Sequence, residues 1–250
     1  MCFLLLVVLG SLPSQRVMEE FKDMTFTVSS KALLPYRLLE PLEIGENETY
    51  PLILFLHGAG ERGQDNQKQL IHCSEEILAF SKKQGRKFYF LAPQCPLNQR
   101  WVDVDWSRTS MTMPKDPTDP MLWVMELLGH ILENKPIDRD RIYVCGLSMG
   151  GFGTWDLLMR KPDLFAAAIP ICGGGDPNAV DQIKHIPIWT FHGAKDQTVS
   201  PFLTRKVVQA LKKVDGRVLY TEYPDAAHNC WTRTFKNDKV WKWLLDKRKG

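Results

Sequence analysis

Hydrophobic positions along this chain fall into short blocks separated by polar and turn-forming stretches. Two early blocks, "MTFTVSS" and "ALLPYRLLEP", read as strands, with Pro35 and Pro41 limiting further pairing, so they predict an antiparallel edge. Five later blocks, "YPLILFLHG", "KFYFLAP", "RIYVCGLS", "FAAAIPI" and "IPIWTFHG", are mostly apolar without interruption. Continuous apolarity, rather than alternation, is what a strand covered on both faces requires. A sixth block, "RVLYTEYP", comes late and alternates more.

Helix-like stretches fall between these strands. "DNQKQLIHCSEEILAFSKKQG" opens on candidate caps and closes on Gly85, "DPMLWVMELLGHILENK" follows a long loop, and "GGFGTWDLLMRKPD" follows Ser148. "SPFLTRKVVQALKKVDG" begins Ser-Pro and stops at Gly216. Strands alternating with helices predict an α/β fold: a doubly wound, mostly parallel sheet with helices on both faces. Ligands in such sheets bind beyond the carboxyl ends of the strands, and His57, Ser148, Asp196 and His228 all follow strands.

No repeat, low-complexity tract or linker interrupts residues 16–250, which read as a single catalytic domain. Residues 1–15 differ. "CFLLLVVLG" followed by "SLPSQ" has the h-region and small-residue region of a secretory leader, although it lacks a basic n-region. It is too short to span a bilayer, so the expectation is export, to the periplasm or the medium, with no stable membrane span. The other reading is a hydrophobic N-terminal strand.

Composition excludes several classes. At 44% hydrophobic and 24% charged, the chain is ordinary globular protein rather than disordered. The net charge of +3 is small and its Lys and Arg are scattered, so no nucleic-acid partner is expected; Lys247-Arg248-Lys249 reads as a solvated helix end. Six cysteines show no metal-ligand spacing, so no metal is expected. Cys145 and Cys172 read as small core residues, and a disulfide among Cys73, Cys95 and Cys230 stays open.

The chemistry centres on Gly146-Leu147-Ser148-Met149-Gly150, a G-x-S-x-G pentapeptide between a buried strand and a helix. That setting holds a serine on a sharp turn with its Oγ exposed, and flanking glycines remove side chains that would collide there. A serine hydroxyl needs a histidine base, which a carboxylate orients. Of the histidines downstream, His185 opens a strand at the wrong end of the sheet and His192 lies within a strand end; His228, in "YPDAAHNCWTRTF", is the one suitably placed. Asp196, in "FHGAKDQTVSP", is the favoured acid, and Asp176, in "GGGDPNA", is its rival. Oxyanion donors are expected from the backbone N–H of Met149 and of Ala59 in His57-Gly58-Ala59-Gly60, with His57 bracing that loop.

Together "LFLHGAGERGQDNQKQL", "APQCP", "GLSMGGFGTWDL", "FHGAKDQTVSP" and "AAHNCWTRTF" resemble the α/β-hydrolase superfamily. More narrowly they are similar to small prolyl-oligopeptidase-like and carbohydrate-esterase-like hydrolases. The resemblance implies the triad Ser148, Asp196 and His228, and no cofactor. Within these 250 residues a propeller domain is not expected, which sets the sequence apart from the pattern of true prolyl oligopeptidases.

The polar segment from Pro93 to Pro120 is long and without periodicity, and long ordered loops are often functional. Trp101 and Trp106 lie in it and Trp231 follows His228 closely, so all three are candidates for stacking on a sugar or aromatic acyl group; the alternative is that they close the core below. These features predict a serine hydrolase cleaving carboxylic esters through an acyl-enzyme, acting on a small-molecule or polysaccharide ester such as an acetylated or feruloylated carbohydrate. A peptidase or aminoacyl hydrolase is the second reading, and a non-catalytic binding protein of the same fold the third.

Overall fold

A computed structural model describes residues 12–250 of the chain. The leader expected within residues 1–15 falls largely outside the described residues; a short helix, α1 (Gln15–Glu20), opens the described part after its Ser14 cap. Two strands follow, β1 (Lys22–Thr27) and β2 (Leu33–Leu39), and they pair antiparallel as expected. Pro35 and Pro41 do not stop further pairing, because Tyr36–Leu39 of β2 also pair, on the other side, with residues 90–93. β3 (Tyr50–Leu56) is buried at every position. After it come α2 (Ser74–Gln84), β4 (Tyr89–Pro93), α3 (Asp119–Asn134), β5 (Ile137–Leu147) and α4 (Met149–Arg160). The chain continues through β6 (Ala167–Ile171), β7 (Ile188–Gly193), α5 (Pro201–Lys213), β8 (Val218–Tyr223), α6 (Trp231–Phe235) and α7 (Asp238–Leu245).

All eight strands form one sheet in the order β1-β2-β4-β3-β5-β6-β7-β8. The β1–β2 and β2–β4 pairs are antiparallel, and every later pair is parallel. Side-chain alternation along the strands feeds two cores. Leu52, Leu54 and Leu56 of β3 point to the face covered by α3, α4 and α5, while Ile53 and Phe55 point to the face covered by α1, α2 and α7. Both faces of the central strands are therefore dry, which is why their sequences lack alternation.

One expected helix is shorter than its sequence pattern. Residues 65–73 do not continue α2 toward the N-terminus. Asp65 Oδ1 accepts from the Gln67 and Lys68 amides, and Asn66 (φ 51°) donates its side-chain amide to Asp23 Oδ1, Met24 O and Tyr36 O. Asx-type bonding competes with the helix here and ties the segment to the β1–β2 edge.

The five described cysteines, Cys73, Cys95, Cys145, Cys172 and Cys230, are free and buried. Cys73 lies against Cys145 and Cys172 against Cys230, so no disulfide joins Cys73, Cys95 and Cys230. Among the described residues no helix is long and apolar enough to cross a membrane.

Candidate active site

Ser148 sits where β5 ends and α4 begins, with φ 53° and ψ −117°. A non-glycine residue at such a φ stores roughly 1–3 kcal/mol of strain, which surrounding packing must hold. Here the hold comes from the Ser148 N–H donating to Ile171 O (2.9 Å) and from very close backbone contacts. A Cβ at Gly150 would lie 1.8 Å from Leu56 O, and one at Gly146 would lie 2.3 Å from Gly150 O. The first turn of α4 thus presses directly on the ends of β3 and β5. Gly150→Ala is expected to cost roughly 3–5 kcal/mol of stability, read as a drop in the urea midpoint. A midpoint equal to the parent's would show that this contact is soft.

The structure brings Ser148, His228 and Asp196 together from the ends of three strands. Ser148 Oγ lies 2.9 Å from His228 Nε2, and His228 Nδ1 lies 2.6 Å from Asp196 Oδ2. The other carboxylate oxygen, Oδ1, accepts from the Thr198 and Val199 amides at 2.9 Å each. Burial pushes the Asp196 carboxyl up, but hydrogen bonds from His192 and His228 and the charge interaction with His228 outweigh it and hold it well below the usual carboxylate range. Asp196 therefore remains an anion facing His228 Nδ1, while His228 Nε2 faces Ser148 Oγ.

Asp176 is elsewhere. It is buried, and its Oδ2 accepts from the Met113 amide (3.1 Å) while Oδ1 accepts from the Asn178 amide. Its work is to anchor the long loop after β4, which Arg160 also holds through the carbonyls of Pro114 and Lys115.

Met149 is the first residue of α4, so its N–H has no acceptor within the helix. Ala59 begins a single turn, Ala59–Glu61, directly after β3. That loop lies against the serine: a Cβ at Gly58 would be 3.7 Å from Ser148 Cβ. His57 braces it, with Nδ1 donating to Gly58 O (2.7 Å) and Nε2 accepting from the Cys95 amide (2.9 Å). Burial first of all pushes the His57 imidazole down, in keeping with a neutral ring.

The tryptophans divide. Trp101 is fully buried, and its Nε1 donates to His57 O at 3.0 Å. It supports the loop from below and cannot stack on a ligand, which corrects the reading of Trp101 as a substrate contact. Trp106 is half-buried, stacked on Phe152 of α4 at 6.2 Å with the Arg100 guanidinium over its ring. Trp231 is half-buried, meets His228 edge-to-face at 5.2 Å, and lies 5.4 Å from the His72 ring. His72 in turn faces the buried Glu61 carboxylate at 3.5 Å. Neither Glu61 nor His72 stands out in the sequence, since the segment carrying His72 reads as helix.

Among the described residues, the group with metal-like spacing is Cys172 with Asp196 and His228, whose donor atoms lie within 4.8 Å of one another. Asp196 and His228 are already hydrogen-bonded to each other at 2.6 Å, so the histidine nitrogen and the carboxylate oxygen satisfy each other.

A doubly wound sheet with a strained serine on the β5–α4 turn, and a histidine and carboxylate on later loops, defines an α/β-hydrolase. Residues 41–240 match the phospholipase/carboxylesterase family, and the chain belongs to it. A solved thermostable esterase is 38% identical with a TM-score of 0.85, covering 94% of this chain and 64% of its own. A bifunctional acetylxylan esterase/xylanase from Neocallimastix patriciarum is 25% identical over 60% of this chain, and a poly(3-hydroxyalkanoate) depolymerase from Paucimonas lemoignei is 42% identical over 50%. The chain spans only 20% and 28% of those two relatives.

Proposed function

We propose that this chain is a serine esterase that cleaves short acyl esters from carbohydrate through an acyl-enzyme. The observation that carries the reading is the continuous hydrogen-bonded line from Ser148 Oγ through His228 to Asp196, beside the free first amide of α4. Ser148 Oγ attacks the ester carbonyl carbon while His228 Nε2 takes its proton. The carbonyl oxygen, now negative, is met by the Met149 and Ala59 amides. Collapse expels the alcohol, which receives the proton from His228. Water then repeats the sequence at the acyl carbon, releasing the acid and restoring Ser148.

The carbohydrate part of the proposal draws on the acetylxylan esterase among the relatives and on the half-buried rings of Trp231 and Trp106. Trp231 adjoins His228 and so supplies an apolar ring at the border of the site. Its test is a substrate panel of p-nitrophenyl esters of increasing acyl length, acetylated xylan, methyl ferulate, poly(3-hydroxybutyrate) and aminoacyl-naphthylamides. Acetate released from xylan, with kcat/KM falling as the p-nitrophenyl acyl chain lengthens, is the expected result. Preferred cleavage of the polyester or the naphthylamides would replace the carbohydrate assignment.

A further inference from the structure

We infer that His192 is a buried, doubly protonated imidazolium that positions Asp196 and offsets its charge. His192 ends β7 with no exposed surface. The inference rests on the triad geometry above and not on which ester is cleaved.

The hydrogen bonds around the ring require a proton on each nitrogen. Nε2 faces two acceptors, Asp196 Oδ2 at 3.1 Å and Val199 O at 3.0 Å. A carbonyl and a carboxylate have no proton to give, so Nε2 must donate. Nδ1 lies 2.7 Å from Thr204 Oγ1, whose hydroxyl lies 2.6 Å from Gly173 O. That second contact needs a proton between the two oxygens, and only the threonine has one. Thr204 thus donates to Gly173 and accepts from Nδ1. Either neutral tautomer leaves a nitrogen lone pair directed at an acceptor, or two oxygens 2.6 Å apart without a proton. His57 is the internal contrast: one of its nitrogens faces a carbonyl and the other an amide N–H, which a neutral ring satisfies.

A buried cation is costly unless paired, and here the pair is direct. Asp196 Oδ2 takes one bond from His192 and one from His228, while Oδ1 takes two amides, so all of its acceptor capacity is used. The other charged neighbours are Glu222, opposite His192 in the β7–β8 register, and Arg205 of α5, which is paired with Glu222 at 2.7 Å. The Cys172 thiol lies within 4.8 Å of the Asp196 and His228 donor atoms. A positive His192 has two consequences for the triad. It prevents Asp196 from rotating away from His228. It also opposes a second positive ring beside the same carboxylate, so His228 stays an available base at lower pH.

The test is nitrogen-15 NMR of the full chain with labelled histidines, near neutral pH, with His192→Gln identifying the resonance. Two protonated ring nitrogens at His192, beside one at His57, are expected; a single protonated nitrogen at His192 overturns the inference. This arm reads no turnover, so it stands apart from the fate of the esterase reading. Kinetics give a second arm. His192→Gln keeps a donor without the charge, and Thr204→Val removes the partner of Nδ1 without touching Asp196. Both are expected to lower kcat about tenfold with KM little changed, and to move the acid limb of the pH–rate profile up by about half a unit. Loss of thermal stability with an unmoved acid limb in both variants assigns His192 a packing role only.

Discussion

Ser148→Ala is expected to abolish labelling by a fluorophosphonate probe and to lower turnover of p-nitrophenyl acetate by about 10⁴-fold or more. The reason lies in how little else the Oγ does. It makes one bond, to His228 Nε2, while the strained backbone is held by the Ser148 amide and the packed glycines. Removing the oxygen deletes the attacking atom and leaves the turn supported. The variant should fold with a near-parental melting curve and still bind substrate. Equal labelling of variant and parent would remove Ser148 from the mechanism altogether.

Asp196→Asn is expected to lower kcat by about 10⁴-fold, whereas Asp176→Asn changes it by less than about tenfold. The Thr198 and Val199 amides fix which side of the residue is an acceptor, so the asparagine oxygen takes the place of Oδ1. Its NH₂ group then points at His192 Nε2–H and His228 Nδ1–H, where an acceptor is needed. His228 can relieve the clash only by moving its proton to Nε2, the tautomer unable to accept from Ser148. Asp176 has no such coupling; its variant loosens the Met113 loop at most. The reverse pair of results would hand the acid role to Asp176. With Asp196 held as an anion well below the usual carboxylate range, loss of activity in the parent on mild acidification does not report protonation of Asp196.

Much of this architecture was legible in the residues themselves. Uninterrupted apolar runs such as "PLILFL" and "RIYVCGL" are a local signature of strands buried on both faces, and β3 and β5 occupy the sheet centre accordingly. The G-x-S-x-G turn was equally readable, because the glycines answer a steric demand within five residues. His228 followed from chain order and from its place after the last strand.

What local pattern could not supply were distances between residues far apart in sequence. The sequence favours Asp196 over Asp176 as the acid, and the packing of β7 and β8 supplies the distance, 2.6 Å from Asp196 Oδ2 to His228. Trp101 sits in a polar loop, yet the fold turns it inward onto His57 O, since burying so large an apolar ring outweighs its polar sequence surroundings. Helical pattern over residues 65–73 lost to Asx bonding with a distant edge. His192 reads in sequence as the polar end of an apolar strand; that its two nitrogens meet only groups requiring a donor is a fact of tertiary structure. Strand, turn and order are written in neighbouring residues, because backbone sterics and burial period act over a few positions. The contact of the acid with His228, the fate of each tryptophan and the protonation of a buried ring depend on which groups the completed sheet places close together, and that the tertiary structure alone decides.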